Sequence, residues 1–375
     1  MNKTEVRKLF PYLDNGIIYF NHASTGPISS PVVSRLTELL KEKSEEKMDD
    51  YTSFLKVVDE TKEILAKMIN CNPDRIAFLD NTSNGLNLLA QSINWKNGDR
   101  ILLNDVEFPA NVYPFLNLKR FGVEVDFVKS NNGIVTADQI IQSVKPQTKL
   151  ISISFVQFLS GYRADLEKIG NFCHTNNIVF CVDGIQGIGV QPIDITNYKI
   201  DFLSCGTQKW LMGMQGLAFI YVDEKLQEKL TPANVGWLSV EDAWNLLDYK
   251  MNLKHTANVF QGGTLNSFGI YAFNTSLKIF NEYGFENAYK EILSNTKYFI
   301  ERLDKIGLSC VLNKCSEKEL AGIVSIKPSK PEEIFNTLNQ RKIICSLREG
   351  LVRFSPHFYN TFEDIDKVVD ELQKI

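Results

Sequence analysis

Ile178-Val179-Phe180-Cys181-Val182-Asp183-Gly184-Ile185-Gln186-Gly187 and, roughly one strand-and-helix unit later, Ser204-Cys205-Gly206-Thr207-Gln208-Lys209-Trp210-Leu211-Met212-Gly213 decide how this chain is read. The run Ile178 to Val182 is apolar without alternation, the pattern of a strand buried on both faces of a parallel sheet. Asp183 closes that strand, and in α/β sheets ligands gather at the carboxyl ends of the strands. Lys209 lies beside Trp210, Leu211 and Met212, while Gly206, Gly213 and Gly216 leave room for close backbone approach. An ammonium held among such neighbours is partly desolvated, which lowers its pKa towards a usable amine. The competing account makes Lys209 one of 41 Lys and Arg residues, mostly solvated, and Asp183 a cap or turn former.

An acid at a strand end followed by a lysine on a later loop is the pairing that pyridoxal phosphate (PLP) chemistry needs. The carboxylate keeps the pyridine nitrogen protonated, and the amine holds the aldehyde as a Schiff base. Outward from this pair the chain alternates strands and helices. Strands are predicted at Ile76 to Leu79, Arg100 to Leu103, Val123 to Val128, Leu150 to Phe155, Ile178 to Val182, Phe202-Leu203 and Leu217 to Val222. Helices are predicted from Pro31, from Asn84, after Pro109, and through Leu166, Ile169 and Phe172. A loop-rich stretch from about 231 to 266 precedes a long amphipathic helical region from Ser267 to about Ile306. The remainder reads as strand Gly322 to Ile326, helix Pro331 to Asn339, strands Ile343 to Cys345 and Leu351 to Phe354, and helix Thr361 to Leu372. The expected fold is therefore α/β, a mostly parallel seven-stranded sheet flanked by helices plus a smaller C-terminal α+β domain. The expected boundaries are 15–260 for the large domain, and 1–14 with 261–375, including the long connecting helix, for the small one.

A chain of 375 residues exceeds the size at which one core stops growing, which agrees with two domains. Its net charge of -4, without a basic block, points away from nucleic acid. No apolar stretch approaches bilayer length and none follows Met1 to Glu5, so the cytoplasm is the expected location. The seven cysteines are odd in number, dispersed and free of CxxC spacing, as suits reduced thiols. His22, His174, His255 and His357 show no local metal-ligand spacing, and no metal is expected.

With these motifs quoted, the chain resembles the class V aminotransferase family of fold-type I PLP enzymes, which also holds cysteine desulfurases, isopenicillin N epimerase-like proteins and kynureninases. The resemblance runs from Tyr19-Phe20-Asn21-His22-Ala23 to Arg353-Phe354-Ser355-Pro356-His357-Phe358-Tyr359-Asn360-Thr361. It is carried chiefly by Val156-Gln157-Phe158-Leu159-Ser160-Gly161-Tyr162-Arg163-Ala164-Asp165-Leu166, Val182 to Gly187, and Gln208-Lys209-Trp210-Leu211. It implies that Lys209 is the Schiff-base lysine and proton-transfer base, Asp183 the partner of the ring nitrogen, and Gln186 that of the phenolic oxygen. It also implies a phosphate loop at Asn81-Thr82-Ser83-Asn84-Gly85, where Thr82, Ser83 and Asn84 open a helix. The bland account of that loop is an ordinary N-cap.

Gln157 is expected on the cofactor side, and Gln208 stands where many relatives carry histidine. Thr264 resembles the residue that reaches the phosphate of a neighbouring subunit, which implies a homodimer with shared active sites. Arg353 is expected to grip the substrate α-carboxylate, with Arg348 as a second candidate. Asn21, His22 and Ala23, with Ser24, are expected on the substrate side, the alternative for His22 being a structural histidine bonded to backbone.

Two departures bear on the reaction. Phe108 replaces the histidine that desulfurases stack on the cofactor; it stacks but carries no proton. Arg348-Glu349-Gly350 runs almost directly into Leu351-Val352-Arg353, without the loop that bears the desulfurase cysteine, and Cys345 reads as a core residue. The resulting expectation is a PLP enzyme acting at the α-carbon of an amino acid, by transamination or epimerisation. A C-S lyase or atypical cysteine desulfurase is the alternative, and a non-catalytic protein on the same fold a more distant one.

Overall fold

Seven strands build the main sheet of the computed structural model, which describes residues 1–375. The chain first lays down a two-residue strand, β1 (Ile18–Tyr19), and then β2 (Ile76–Leu79), β3 (Arg100–Asn104), β4 (Glu124–Val128) and β5 (Thr148–Ser154). The strands β6 (Val179–Asp183), β7 (Phe202–Gly206) and β8 (Ala218–Val222) complete the sheet. Its order is β2-β8-β7-β6-β5-β3-β4. The neighbours from β7 through β4 are parallel, whereas β8 runs antiparallel to both β7 and β2.

That single reversed strand positions the site. A parallel partner would need a long crossover with a helix, but an antiparallel one is reached by a short connection. Thr207 to Leu217 therefore stays at the carboxyl edge of the sheet, with Met212 (φ 52°) and Gly216 (φ 81°) making its left-handed bends.

Strand residues alternate between two cores. Ile151, Ile153, Phe180, Val182, Leu203 and Phe219 join the larger cluster on one face, which includes Trp210. Leu150, Cys181, Phe202 and Ile220 join Leu89, Phe115 and Phe260 on the other. Helices cover both faces, so the strands carry apolar residues in both directions. The helix Thr82–Ser92 starts where the Asn81 side chain accepts the Asn84 N–H, and Leu166–Thr175 where Asp165 accepts that of Lys168.

The C-terminal portion holds β9 (Val324–Ile326), β10 (Ile343–Ile344), β11 (Ser346–Arg348) and β12 (Leu351–Phe354). The order β11-β12-β9 is antiparallel throughout, and β10 pairs in parallel with β1. The β11–β12 turn puts Glu349 (φ 47°) and Gly350 (φ 75°) in the left-handed region, as a two-residue hairpin of matching twist requires. A third apolar cluster, with Phe299, Leu303, Val352, Phe354 and Val368, lies here.

Several expectations are refined. The long helical region is two helices, Ser267–Tyr283 and Phe285–Lys305, broken at Gly284 with φ 92°. The helix expected after Pro109 is a 3-10 turn, Pro109–Asn111, and a short helix, Tyr113–Leu116. Helix Tyr51–Ile69, absent from the sequence reading, buries Phe54, Val58, Leu65 and Ile69 at helical spacing.

Gly170 tests the packing of helix Leu166–Thr175. A Cβ there would run into the Tyr198 carbonyl and lie 3.2 Å from the Phe180 ring. Gly170→Ala is expected to destabilise the protein by roughly 1–3 kcal/mol, read from urea unfolding midpoints.

Candidate active site

Asp183 is the last residue of β6, only 2% exposed, and pairs in register with Ser154 of β5 and Ser204 of β7. Its carboxylate accepts the Ile185 N–H at 3.0 Å. Burial pushes its pKa up; the Ile185 bond opposes this, the Glu107 charge adds to it, and Lys209 pulls it down.

Lys209 rides the β7–β8 loop, and that loop is held from three sides. The Gln208 carbonyl accepts the Gly26 N–H at 2.7 Å, the Trp210 carbonyl meets His357 Nε2 at 2.9 Å, and Ser276 donates to the Met212 carbonyl at 2.8 Å. Gly26 permits this closeness, because a Cβ there would lie 2.5 Å from the Lys209 carbonyl oxygen. Burial pushes the Lys209 ammonium down, the Arg353 and Arg348 charges add to that, and Asp183 resists it. Its Nζ stands 5.7 Å from the centroid of the Phe108 ring. Phe108 is 44% exposed and meets Phe158 edge-on at 5.2 Å.

The residues present fit a phosphate-bearing pyridine aldehyde. At the start of helix Thr82–Ser92 the Thr82 Oγ1 is buried without a partner. The first N–H groups of any helix have no acceptor within it, so an anion is favoured here. A Cβ on Gly206 would lie 2.6 Å from Gln208 Oε1 and 3.1 Å from Thr82 Oγ1, so these side chains converge where only glycine leaves room. Ser83 stands in the same first turn. Asn84 is drawn aside: its amide donates to the Asp80 carboxylate at 2.6 and 2.8 Å.

Gln186 donates from Nε2 to the Ala23 carbonyl at 2.9 Å and accepts the Trp210 indole N–H at 2.8 Å. One N–H of its amide stays available for a ligand oxygen. Gln157 is buried, with its Oε1 unpartnered. Thr264 lies exposed beyond the 3-10 turn Ala257–Phe260.

Arg353, on β12, is 2% exposed and donates to three neutral oxygens: Ser346 Oγ at 3.1 Å, the Phe158 carbonyl at 2.6 Å and Ser24 Oγ at 3.0 Å. Burial, reinforced by Arg348, pushes its pKa down to about 10. A buried guanidinium without a carboxylate is costly, and it suits an incoming anion. Arg348 is exposed at the end of β11 and donates to the Leu347 carbonyl.

The N-terminal segment divides. Ser24 reaches Arg353, and the Asn21 side-chain oxygen is buried without a partner. His22 goes to the core instead of the substrate side. Its Nδ1 meets the Ser355 carbonyl at 3.0 Å and its Nε2 the Tyr359 hydroxyl at 2.7 Å, so both ring nitrogens are committed. Ala23 is backbone scaffold, held by Ser355 Oγ and Gln186. His22 and His357 lie 4.6 Å apart among Trp210, Phe358 and Tyr359, a cluster under the Lys209 loop that the sequence reading did not assemble. Glu107 was likewise missed; its signal is the spacing of Glu107 and Asn111 across the Pro109 turn.

A mostly parallel seven-stranded sheet, with an acid closing β6 and a lysine on the β7–β8 loop, defines an enzyme of the PLP fold-type I class. Comparison with known proteins agrees. The family described as aminotransferase class-V matches residues 18–368. A probable cysteine desulfurase of Methanothermobacter thermautotrophicus is 28% identical, covering 100% of this chain and 98% of its own. An uncharacterized aminotransferase of Bacillus subtilis, YcbU, is 26% identical over 98% of this chain and 96% of its own. The apo cysteine desulfurase of Thermococcus onnurineus superposes with a TM-score of 0.89 at 22% identity, covering 99% of this chain and 97% of that one. The cystine C-S lyase C-DES, solved with its product cysteine persulfide, gives 0.89 at 21% identity, covering 98% and 99%. The chain belongs to the class-V aminotransferases, a family of PLP-dependent enzymes.

The two histidines beneath Lys209 give the fold an acid-sensitive element. Burial pushes the His357 pKa down to about 3 and lowers that of His22 as well. Unfolding restores an ordinary value near 6.5, so the unfolded chain binds more protons below it and stability falls as pH drops from about 6.5 towards 3. Between pH 7 and 5, His357 alone is expected to contribute a loss of about 2 kcal/mol. The check is urea unfolding of wild type and His357→Asn at both pH values: the difference between the two proteins should change by that amount.

Proposed function

We propose that the protein binds PLP through Lys209 and acts at the α-carbon of an amino acid, by transamination or epimerisation. The observation that carries this reading is Arg353, a buried guanidinium bonded only to neutral oxygens, whose charge bears on a desolvated lysine. Three of its five N–H groups are used, and those left suit one carboxylate. When bound, the cofactor supplies an aldehyde for amines and a ring that accepts the electrons of the bond broken at the α-carbon.

The chain's residues do the rest. Lys209 holds the cofactor until the substrate amine replaces it, and then carries the proton to and from the α-carbon. Its depressed pKa keeps a fraction in the basic form near neutral pH. Asp183 holds positive charge at the ring nitrogen, Gln186 donates to the phenolic oxygen, and Thr82, Ser83 and Gln208 receive the phosphate. Phe108 packs on the ring and excludes water. Asn21 and Arg348 stand on the substrate side.

C-S bond cleavage without a cysteine nucleophile is a second reading. Burial pushes all seven thiols above their ordinary pKa, Cys345 to about 12, so no activated thiolate accompanies Lys209. Release of sulfide with pyruvate or alanine from cysteine or cystine would favour it.

We also propose a homodimer. Trp244, Leu247, Tyr249 and Met251 are exposed on one loop, an apolar surface that a second copy would cover, and Thr264 is exposed for the partner's phosphate site. A division at 15–260, against 1–14 with 261–375, and a cytoplasmic location complete the reading. No helix is long and apolar enough to cross a membrane.

The holoprotein is expected to show a visible cofactor band that selected L- or D-amino acids shift. Lys209→Ala should abolish the band and lower turnover by about 10²- to 10⁴-fold, measured with the amino acid that shifts the wild-type spectrum. Arg353→Lys should leave the band in place and raise KM on the order of 10- to 100-fold. Sedimentation should give the mass of two chains, and Leu247→Glu should shift it towards one.

A further inference from the structure

We propose that Glu107 is a positioning residue of this site: its carboxylate seizes the amide nitrogen of Gln157, so that the amide oxygen is the face presented to the bound cofactor. This rests on the functional reading above and adds to it a residue and an orientation.

Glu107 lies in the loop after β3 and is nearly fully buried. Its carboxylate collects donors from two parts of the sheet. Asn104 at 2.5 Å comes from the end of β3, and Asn111 at 3.1 Å from the Pro109 turn that follows. The Ser154 N–H at 2.9 Å, the Ser154 hydroxyl at 2.5 Å and Gln157 Nε2 at 3.1 Å come from the end of β5. All of these partners are themselves at least nine-tenths buried. A carboxylate is costly to bury, and here the cost is offset by donors filling both oxygens.

Two consequences meet at the cofactor position. Ser154 is the register partner of Asp183, so Glu107 clamps the strand that flanks the ring-nitrogen carboxylate. The Gln157 nitrogen faces only acceptors, Glu107 Oε1 and, at 3.4 Å, Asn104 Oδ1, which fixes which end of the amide is which. Its Oε1 is buried and has no partner in the chain. A buried acceptor left open calls for a donor on the guest, and the protonated nitrogen between Lys209 and the cofactor is such a donor. Because Phe108 follows directly, the same anchor also sets the ring that lies under Lys209 Nζ.

The test uses the holoenzyme, following protonation of the visible band with pH. An acceptor and a nearby anion both stabilise the protonated form, so removing either lowers the midpoint. Gln157→Leu and Glu107→Gln are each expected to lower it by about one pH unit, and the double variant by no more than the larger single change. Cofactor affinity by equilibrium dialysis should fall about tenfold in each. A raised midpoint in Gln157→Leu would mean that the amide nitrogen faces the cofactor, and it overturns the inference. So does an unmoved midpoint with only a lower melting temperature, or full additivity in the double variant. If Glu107→Gln does not fold, Glu107→Asp takes its place: a lowered midpoint despite the retained charge supports positioning, and an unchanged one overturns it. A wild type that forms no band overturns the functional reading and this inference with it; a normal wild-type band with unmoved variants overturns this inference alone.

Discussion

Keeping a lysine out of water without giving it a committed counter-ion is the constraint on which this structure turns. Arg353, Asp183 and Glu107 are buried and Lys209 is half-buried, yet each makes its hydrogen bonds with neutral groups where it makes any. Separated buried charges oppose folding, since each keeps much of its desolvation penalty. The large apolar cores on both faces of the sheet must outweigh that opposition, and a guest bearing complementary charges relieves it. The site is therefore preorganised for ligands at the expense of stability, and the depressed lysine and raised aspartic acid are two records of the same desolvation.

Topology turns this into a geometry. In the order β7, β6, β5, β3, four neighbouring strands each contribute one group just at or beyond their carboxyl ends: Lys209, Asp183, Gln157 and Glu107. Parallel direction puts those ends on one edge, which is why residues distant in sequence become a row. The reversed β8 keeps the Lys209 loop short, and the small antiparallel sheet brings Arg353 across from Ser346 to face the row. Strand ends and the short loops pinned just beyond them therefore set each charge, and the loop-rich stretch from about 231 to 266 is left for contacts at the surface.

Much of this was legible in the sequence because strands buried on both faces write themselves as unbroken apolar runs. Ile76 to Leu79 coincides with β2 for that reason, and Leu351 to Phe354 matches β12 although Arg353 interrupts its apolar residues. Asp183 was conspicuous in the sequence as a charge closing such a run, and Lys209 as a charge among glycines and apolar residues on a later loop. Glu107 was not: a glutamate before a phenylalanine and a proline looks like a loop charge, and two of its partners, Ser154 and Gln157, lie far along the chain. For His22 the sequence left two readings open, the substrate side and a structural histidine bonded to backbone. Its place beside Asn21 and Ser24 suggested the substrate side, but the neighbouring strand end supplies Ser355 and the aromatic Tyr359, which take both ring nitrogens into the core. Hydrogen bonds between distant segments leave no periodic trace, so polar networks stay hidden where apolar faces are plain.

The chemistry left to the site follows from which groups can still move a proton. His22 and His357 are held neutral in the core with their pKa values pushed down, and Phe108, whose ring centroid lies 5.7 Å from Lys209 Nζ, has no titratable atom. The thiols are all pushed up by burial, Cys205 beside the Lys209 loop included. Asp183, buried at the end of β6, is assigned in the function proposed above to charge and not to transfer. On that proposal, Lys209 is then the base left to serve the reacting carbon, and a single base delivers and removes protons from the side on which it stands. That restriction weighs towards proton movement along one face, as transamination needs, and asks of any epimerisation that the second face be served from elsewhere, by solvent or by another subunit.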